Sequence, residues 1–337
     1  MVLPLSEKAA GWLRKGMGID RKMEKNGQAK YEEGQFYPYV KRKGEKEVLK
    51  RNVRGGVEYL TFPSLEETGV VNHLFSTRLG GVSEGIFSSM NLSYTRGDRK
   101  EAVDENFQRI AGIMGGAVSD FVLSDQTHTT NIRRVTGKDK GKGVVKSRDY
   151  KDIDGLITDE EGIILATFYA DCVPLFLVDK KRRAIGLSHS GWRGTVGRMG
   201  ECTLLAMEEA YGTKPEDVSV GIGPSICKDC YEVGAEVADA VAGAFPEKYL
   251  PDILFPKKGG KYLLDLWRAN YYVFVMAGVP EGQISVTDMC TCCNPGYLFS
   301  HRASKGRRGN LGAFLALKAG AKGLEEPGKE KSGVDKP

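Results

Sequence analysis

The chain has 337 residues, 41% hydrophobic and 28% charged, with a formal net charge of +5. That length builds one large domain or two ordinary ones, and the composition is that of a globular protein. No apolar run is long enough to span a bilayer, and the first residues (MVLPLSEKAAGWLRKGMGIDRKMEK) hold no apolar signal core. A cytoplasmic protein with no membrane segment is therefore expected.

The charge is unevenly placed. Residues 1–56 carry 14 Lys and Arg against 7 Asp and Glu, a surplus of +7 that leaves the remainder near −2. A basic arm can touch nucleic acid or anionic lipid, but no aromatic-interleaved recognition motif accompanies it. A poorly ordered, non-catalytic extension over 1–52, with no nucleic-acid partner, is expected, with a short helix or ribbon at 35–40. Seven Cys is an odd number without the even spacing of a secreted disulfide framework, so the thiols read as core residues, metal ligands or nucleophiles.

Residues 57–62 and 70–76 have strand patterns, followed by the glycine-rich TRLGGVSEG. Residues 100–114 place Val103, Phe107, Ile110 and Ile113 at helical spacing behind an early acidic residue. Residues 122–123 lead into the polar loop SDQTHTT, and 132–135 return as a strand. The Lys/Gly/Asp-rich connection 137–155 ends in the turn DIDG before strand 156–158. Then comes the stretch on which the chain is organised, IILATFYADCVPLFLVDKKRRAIGLSHSGWRG, read as strands 163–170, 174–179 and 184–190 covered on both faces. Pro174 argues against a regular central strand beside Cys172, and Gly191 and Gly194 suggest a tight turn after His189. Helices are expected at 195–211, 233–245 and 265–277, strands at 218–222, 284–286 and 309–317, and a disordered tail over 320–337. With no repeat or linker inside 57–318, one intertwined α/β domain is the preferred reading.

Only four His occur: His73, His128, His189 and His301. His128 lies in a polar loop, His189 ends a strand and Cys172 sits at a bend. Two imidazoles and one thiolate leave a tetrahedral Zn²⁺ one open position, which is the mark of a catalytic site. The alternative is a buried Cys and a surface His with no joint role. A second set, Cys227-x-x-Cys230 with Cys290-x-Cys292-Cys293, can hold structural zinc. Against this stand the adjacency of Cys292 and Cys293 and the helix start that follows CKDCYEV, so core thiols are the competing reading. Arg78 in STRLGG and Arg193 in GWRGT are anion-binding candidates beside glycines, with Arg302, Arg307 and Arg308 as a third basic group. Asp171 can orient a ligand His, carry a proton or pair with an Arg. Asp125 and Gln126 are supporting or substrate-binding candidates.

The motifs FSTRLGGVSEGIFSSMNL, DQTHT, DIDGL, YADCVPL, HSGWRGT, IGPSICKDCYEV, LDLWRAN, FSHR and GRRGN, in this order over about residues 57–318, resemble the YfiH family. Its members have been called laccase-domain proteins and are now described as purine nucleoside phosphorylases. The resemblance implies a layered αββα sandwich of mixed sheets with helices outside and His128, Cys172 and His189 as the ligands of zinc, with copper as an alternative. It also implies Arg78 near the active site. The implied activities are phosphorolysis of adenosine, inosine, guanosine and methylthioadenosine, with adenosine deamination beside them. The partners expected are purine nucleosides and phosphate, for a monomer or homodimer. The chain departs at Thr95, where many members carry a His, so a fifth-ligand or proton-transfer role for that His is not carried over by the resemblance. Two other activities compete. Cys172 as nucleophile with His189 as base would give a cysteine hydrolase editing cell-wall peptide precursors. Polyphenol oxidation by several coppers would need more imidazoles than four His supply. A binding module with no turnover is the non-enzymatic reading.

Overall fold

The computed structural model describes residue 37 and residues 40–320; the readings made for 1–36 and for the tail beyond 320 lie outside the described residues. Strands run in chain order as β1 Lys50–Arg54, β2 Val57–Thr61, β3 Val71–Ser76, β4 Phe121–Leu123, β5 Ile132–Arg134, β6 Gly155–Thr158, β7 Ile164–Tyr169 and β8 Val173–Asp179. They continue as β9 Ala184–Ser190, β10 Val218–Ile222, β11 Glu232–Val233, β12 Leu254–Lys257, β13 Lys261–Leu264, β14 Ile284–Val286 and β15 Leu311–Leu317. One six-stranded sheet has the order β1-β2-β3-β15-β7-β4, a second β14-β10-β8-β9-β6-β5, and a small third β11-β13-β12.

The two large sheets pack face to face. Phe75, Leu165, Tyr169, Leu311 and Leu315 of the first share a core with Phe176, Val178, Ile185 and Leu187 of the second. The outer face of the first sheet is covered by helix Lys100–Met114, whose Val103, Phe107 and Ile110 join Phe121, Ile164 and Phe314. Helices Met199–Tyr211 and Leu266–Met276 cover the second, packing Leu204, Met207, Val273 and Phe274 with Val173, Leu175, Leu177 and Val220. Each such side chain contributes about 1.5–3 kcal/mol by leaving water. Both faces of β8 and β9 are therefore covered, and both strands are buried throughout. The result is the expected αββα sandwich, a single mixed α/β domain.

The structure corrects several readings. Residues 40–52 are docked rather than loose. The Lys41 amide donates to Asn294 Oδ1 at 2.6 Å, Arg42 pairs with Asp288, Leu49 is fully buried, and β1 pairs antiparallel with β2. As an edge strand, β1 keeps its polar side chains half in water and so lacks an apolar signature. Pro174 does lie in a central strand, paired with His189, but on its other side it is beyond the register with β10, which ends at Leu175 opposite Ile222, so no ladder bond needs its N–H. The helix expected over 195–211 is two, Trp192–Val196 and Met199–Tyr211, separated by Arg198 in the left-handed region at φ 59°. The helix expected from 233 starts at Ala235, after β11.

Candidate metal centre and active site

β7 belongs to the first sheet and β8 to the second, so the chain crosses between sheets at residues 170–172. Asp171 adopts φ 94°, a left-handed conformation costly for a non-glycine residue. It is held from both sides, its carboxylate accepting from Thr291 Oγ1 and from the Arg302 amide, each at 2.6 Å. Its backbone carbonyl accepts from Ile226 N at 3.0 Å. Cys172, the next residue, is thereby fixed where the sheets part.

His189 is the penultimate residue of β9. Beyond it, Ser190, Thr195 and Asn270, all fully buried, form a hydrogen-bond network that ties the GWRGT turn to helix Leu266–Met276. Asp154, fully buried, organises the rest of the site. Its carboxylate lies 2.7 Å from His189 Nδ1 and accepts from the amides of Thr127, His128 and Thr129 at 3.0, 3.1 and 2.9 Å. It also accepts from Thr129 Oγ1 at 3.0 Å. A single carboxylate thus shapes the His128 loop, where His128 takes φ 68°, and directs Nε2 of His189 away from itself.

The ligand-type atoms of His128, Cys172 and His189 all lie within 4.8 Å of one another. Cys172 Sγ is 3.9 Å from His128 Nε2, and the two imidazole rings are 4.9 Å apart, edge to face. Gly191 lines this space. A Cβ there would sit 2.9 Å from His128 Cδ2 and 3.2 Å from Cys172 Sγ, while its φ of −75° is open to any residue. Close approach, not the turn read from sequence, is what requires glycine here. Two imidazoles and a thiolate, one imidazole backed by a carboxylate, fit a tetrahedral divalent metal with an open position.

Without metal the three groups form a charge-coupled set. Burial raises the Cys172 thiol, but the facing charge of His189 and hydrogen bonds from both imidazoles outweigh it, bringing it down to about 6. Burial lowers His189, yet the Cys172 thiolate and Asp154 carry it up to about 9. The Asp154 carboxyl is pushed up by burial and pulled further down by His189 and the loop amides, ending below its usual value. The contribution of Cys172 is present above the unfolded thiol value and lost as pH falls through about 6; that of His189 is present below the unfolded imidazole value and lost as pH rises through about 9. The thiolate–imidazolium pair therefore persists between. In chelated protein, iodoacetamide labelling of Cys172, followed by peptide mass spectrometry, is expected to hold its rate down to about pH 6. A rate that collapses below the ordinary thiol value near 9 would contradict the pairing.

The other expected residues take different places. Asp171 orients neither imidazole; Asp154 does that, and both oxygens of Asp171 serve the bend. Gln126 holds backbone rather than presenting a free amide. Its Oε1 accepts from Phe168 N at 2.7 Å and its Nε2 donates to Phe168 O at 2.8 Å. Asp125 pairs with Arg148 at 2.7 Å. Arg78 donates to the carbonyls of Ser88 and Pro295 at 2.8 and 2.7 Å and lies over Phe299. Arg193 is exposed, over Trp192. Arg302 and Arg307 are exposed, whereas Arg308 is 8% exposed, its Nη1 donating to Asn310 Oδ1 and to the Gly309 carbonyl and its Nε unpartnered among the described residues. Burial first, then Arg96, lowers Arg308 to about 10, and the charges of Asp171 and Cys172 act on it. His73 accepts from Phe62 N at 2.8 Å in the core and, through burial, falls to about 4. His301 lies on the short helix His301–Ser304, so neither joins the metal-type set. Asp154 and the burial of Arg308 were not singled out from sequence, and Gly191 was read only as a turn residue; a carboxylate in DIDGL just before an apolar strand was the available signal for the first.

Residues 72–318 match the family described as "Multi-copper polyphenol oxidoreductase laccase". The chain belongs to this family. Among its relatives is the purine nucleoside phosphorylase YlmD of Bacillus subtilis, 36% identical over 248 residues, which are 72% of this chain and 87% of that protein. Adenosine deaminase RL5, from an unknown prokaryotic organism, is 34% identical over 231 residues, 68% of this chain and 87% of the relative. The crystal structure of the Bacillus licheniformis hypothetical protein YfiH superposes with a TM-score of 0.74 at 32% identity, covering 79% of this chain and 97% of that one. The family resemblance read from the motifs is thus shown. No helix among the described residues is long and apolar enough to cross a membrane.

Proposed function

We propose that this family member is a purine nucleoside phosphorylase acting at His128, Cys172 and His189. The observation that carries the reading is the convergence of these three donors within 4.8 Å, in a chain 36% identical to a relative named as such an enzyme. A divalent metal held by the three, zinc by the donor set and copper as the alternative, would supply Lewis acidity toward an anionic oxygen. Hydrogen phosphate attacks C1′ of the ribose; the C1′–O bond forms as the C1′–N9 bond breaks, its electron pair leaves with the purine, and the proton lost by the phosphate balances the one taken up by the base. Ribose 1-phosphate and free base result.

The chain's own residues do the positioning. Asp154 holds His189 and the His128 loop, and Gly191 leaves room beside the thiol. Arg308, buried with an unpartnered Nε and acted on by the charge of Cys172, is the phosphate ligand in this reading. Arg193, exposed over Trp192 just after Gly191, adds positive charge, and Arg78 braces loops. Asp171 is a positioning residue for Cys172 and not the proton carrier considered from sequence, because both oxygens already accept hydrogen bonds. Methylthioadenosine, guanosine and inosine belong to the same substrate class, and the name of RL5 makes adenosine deamination the second reading.

The test is base release from adenosine, inosine, guanosine and methylthioadenosine by zinc-loaded protein, with and without phosphate, beside Cys172→Ala. Phosphate-dependent release that falls at least about 10³-fold in the variant is expected, as for removal of a group acting on the reacting centre. Release independent of phosphate, or retained in the variant, would overturn the assignment. Inosine formed from adenosine scores deamination in the same assay. Turnover of cell-wall peptides by chelated protein would point to the cysteine hydrolase instead.

A further inference from the structure

The five cysteines that follow β10 and β14 have no part in the site above. β10 and β14 are parallel neighbours, Val220 opposite Ile284 and Ile222 opposite Val286, and the pairing continues as a bridge between Ser225 and Cys290. The two strands therefore deliver their following turns side by side. One turn carries Cys227 and Cys230, the other Cys290 and Cys293, each pair spaced C-x-x-C.

The four Sγ atoms all lie within 4.8 Å of one another, and none is in a disulfide. Cys230 Sγ is 3.5 Å and Cys227 Sγ 3.9 Å from Cys293 Sγ. A zinc ion with Zn–S bonds of about 2.3 Å separates neighbouring sulfurs by about 3.8 Å, whereas a disulfide needs about 2.05 Å. The amides of Cys227 and Cys293 donate to Cys290 Sγ at 3.2 and 3.4 Å, which stabilises a thiolate. Lys43, ion-paired with Asp229 at 2.9 Å, brings positive charge within reach of Cys227 and Cys293. Cys292 lies outside the set, so its adjacency to Cys293 is no obstacle.

We infer that Cys227, Cys230, Cys290 and Cys293 form a structural tetrathiolate zinc site, separate from the His–Cys–His set. Four protein ligands leave no open position, so the site is closed and non-catalytic. It clamps the 290–294 turn, whose Thr291 holds Asp171 beside Cys172 and whose Asn294 accepts from the Lys41 amide. The clamp thus seats both the Cys172 bend and the segment at 41–43.

The test removes the other donor set. The full chain carrying His128→Ala and His189→Ala is purified without chelator, and its zinc is measured by mass spectrometry and X-ray absorption. One zinc per chain with four sulfur neighbours near 2.3 Å is expected, together with a fall in melting temperature on chelation. Adding Cys293→Ser should lower zinc content at least tenfold. Absence of zinc, a shell containing nitrogen, iron with inorganic sulfide, or Cys227, Cys230, Cys290 and Cys293 recovered as disulfides would each overturn it. If the double variant fails to fold, cobalt-loaded wild-type protein decides. A thiolate-to-cobalt band of the strength of four or more thiolates supports the site, and the strength of one excludes it.

Discussion

Asp154→Ala is expected to lower stability by about 3–5 kcal/mol and to abolish both metal retention and base release, the largest combined effect of any single change here. Asp154 is fully buried and accepts from three backbone amides, one hydroxyl and His189. Removing it strands the buried His189 Nδ1, whereas the part-buried loop donors can turn to water, so the loss stays near that of one broken buried pair. The His128 loop then loses what holds its left-handed turn, and His189 loses the partner that directs Nε2. Asp154→Asn keeps the shape and one acceptor oxygen, so an intermediate loss is expected. Chemical denaturation with zinc analysis on both variants checks this. Wild-type stability in Asp154→Ala would show that the loop is shaped by something else.

Gly191→Ala is expected to reduce base release at least about 10²-fold while leaving the fold close to wild-type stability. The added Cβ would sit 2.9 Å from His128 Cδ2, closer than real contacts allow, and 3.2 Å from Cys172 Sγ. The His128 ring is on an exposed loop and can swing away, so the strain is relieved by moving a ligand rather than by unfolding. A displacement of about 1 Å at a reacting centre costs about that factor. Activity and zinc affinity falling together, with denaturation unchanged, is the expected pattern. Full activity would mean that the three donors do not act as one site.

Taken together, the two variants separate what builds the site from what fills it. Loss of Asp154 removes the scaffold, whereas a methyl at residue 191 leaves the scaffold and displaces the donors. Asp171→Ala falls between them, because it releases Thr291 and the Arg302 amide but touches neither imidazole.

The runs of β7, β8, β9 and β15 were legible because strands buried on both faces read as near-continuous runs of apolar and small residues, densest in β8. The helix at Lys100–Met114 was equally legible, since one face must repeat every three to four residues to pack on a sheet. His128, Cys172 and His189 could be nominated from residue type and local context, because imidazole and thiol are scarce and chemically distinctive. Edge strand β1 and the small sheet carry no such pattern, being short and half in water. Nor could the chain alone show that the bend at Cys172 passes from one sheet to the other, or that Asp154 and not Asp171 backs His189. It could not show that two C-x-x-C turns 63 residues apart, measured from Cys227 to Cys290, meet at the ends of parallel strands. Local sequence determines which surface a segment must bury. Which distant carboxylate, glycine or thiol arrives beside it depends on strand order and on where the chain crosses between sheets, and only the tertiary structure decides that.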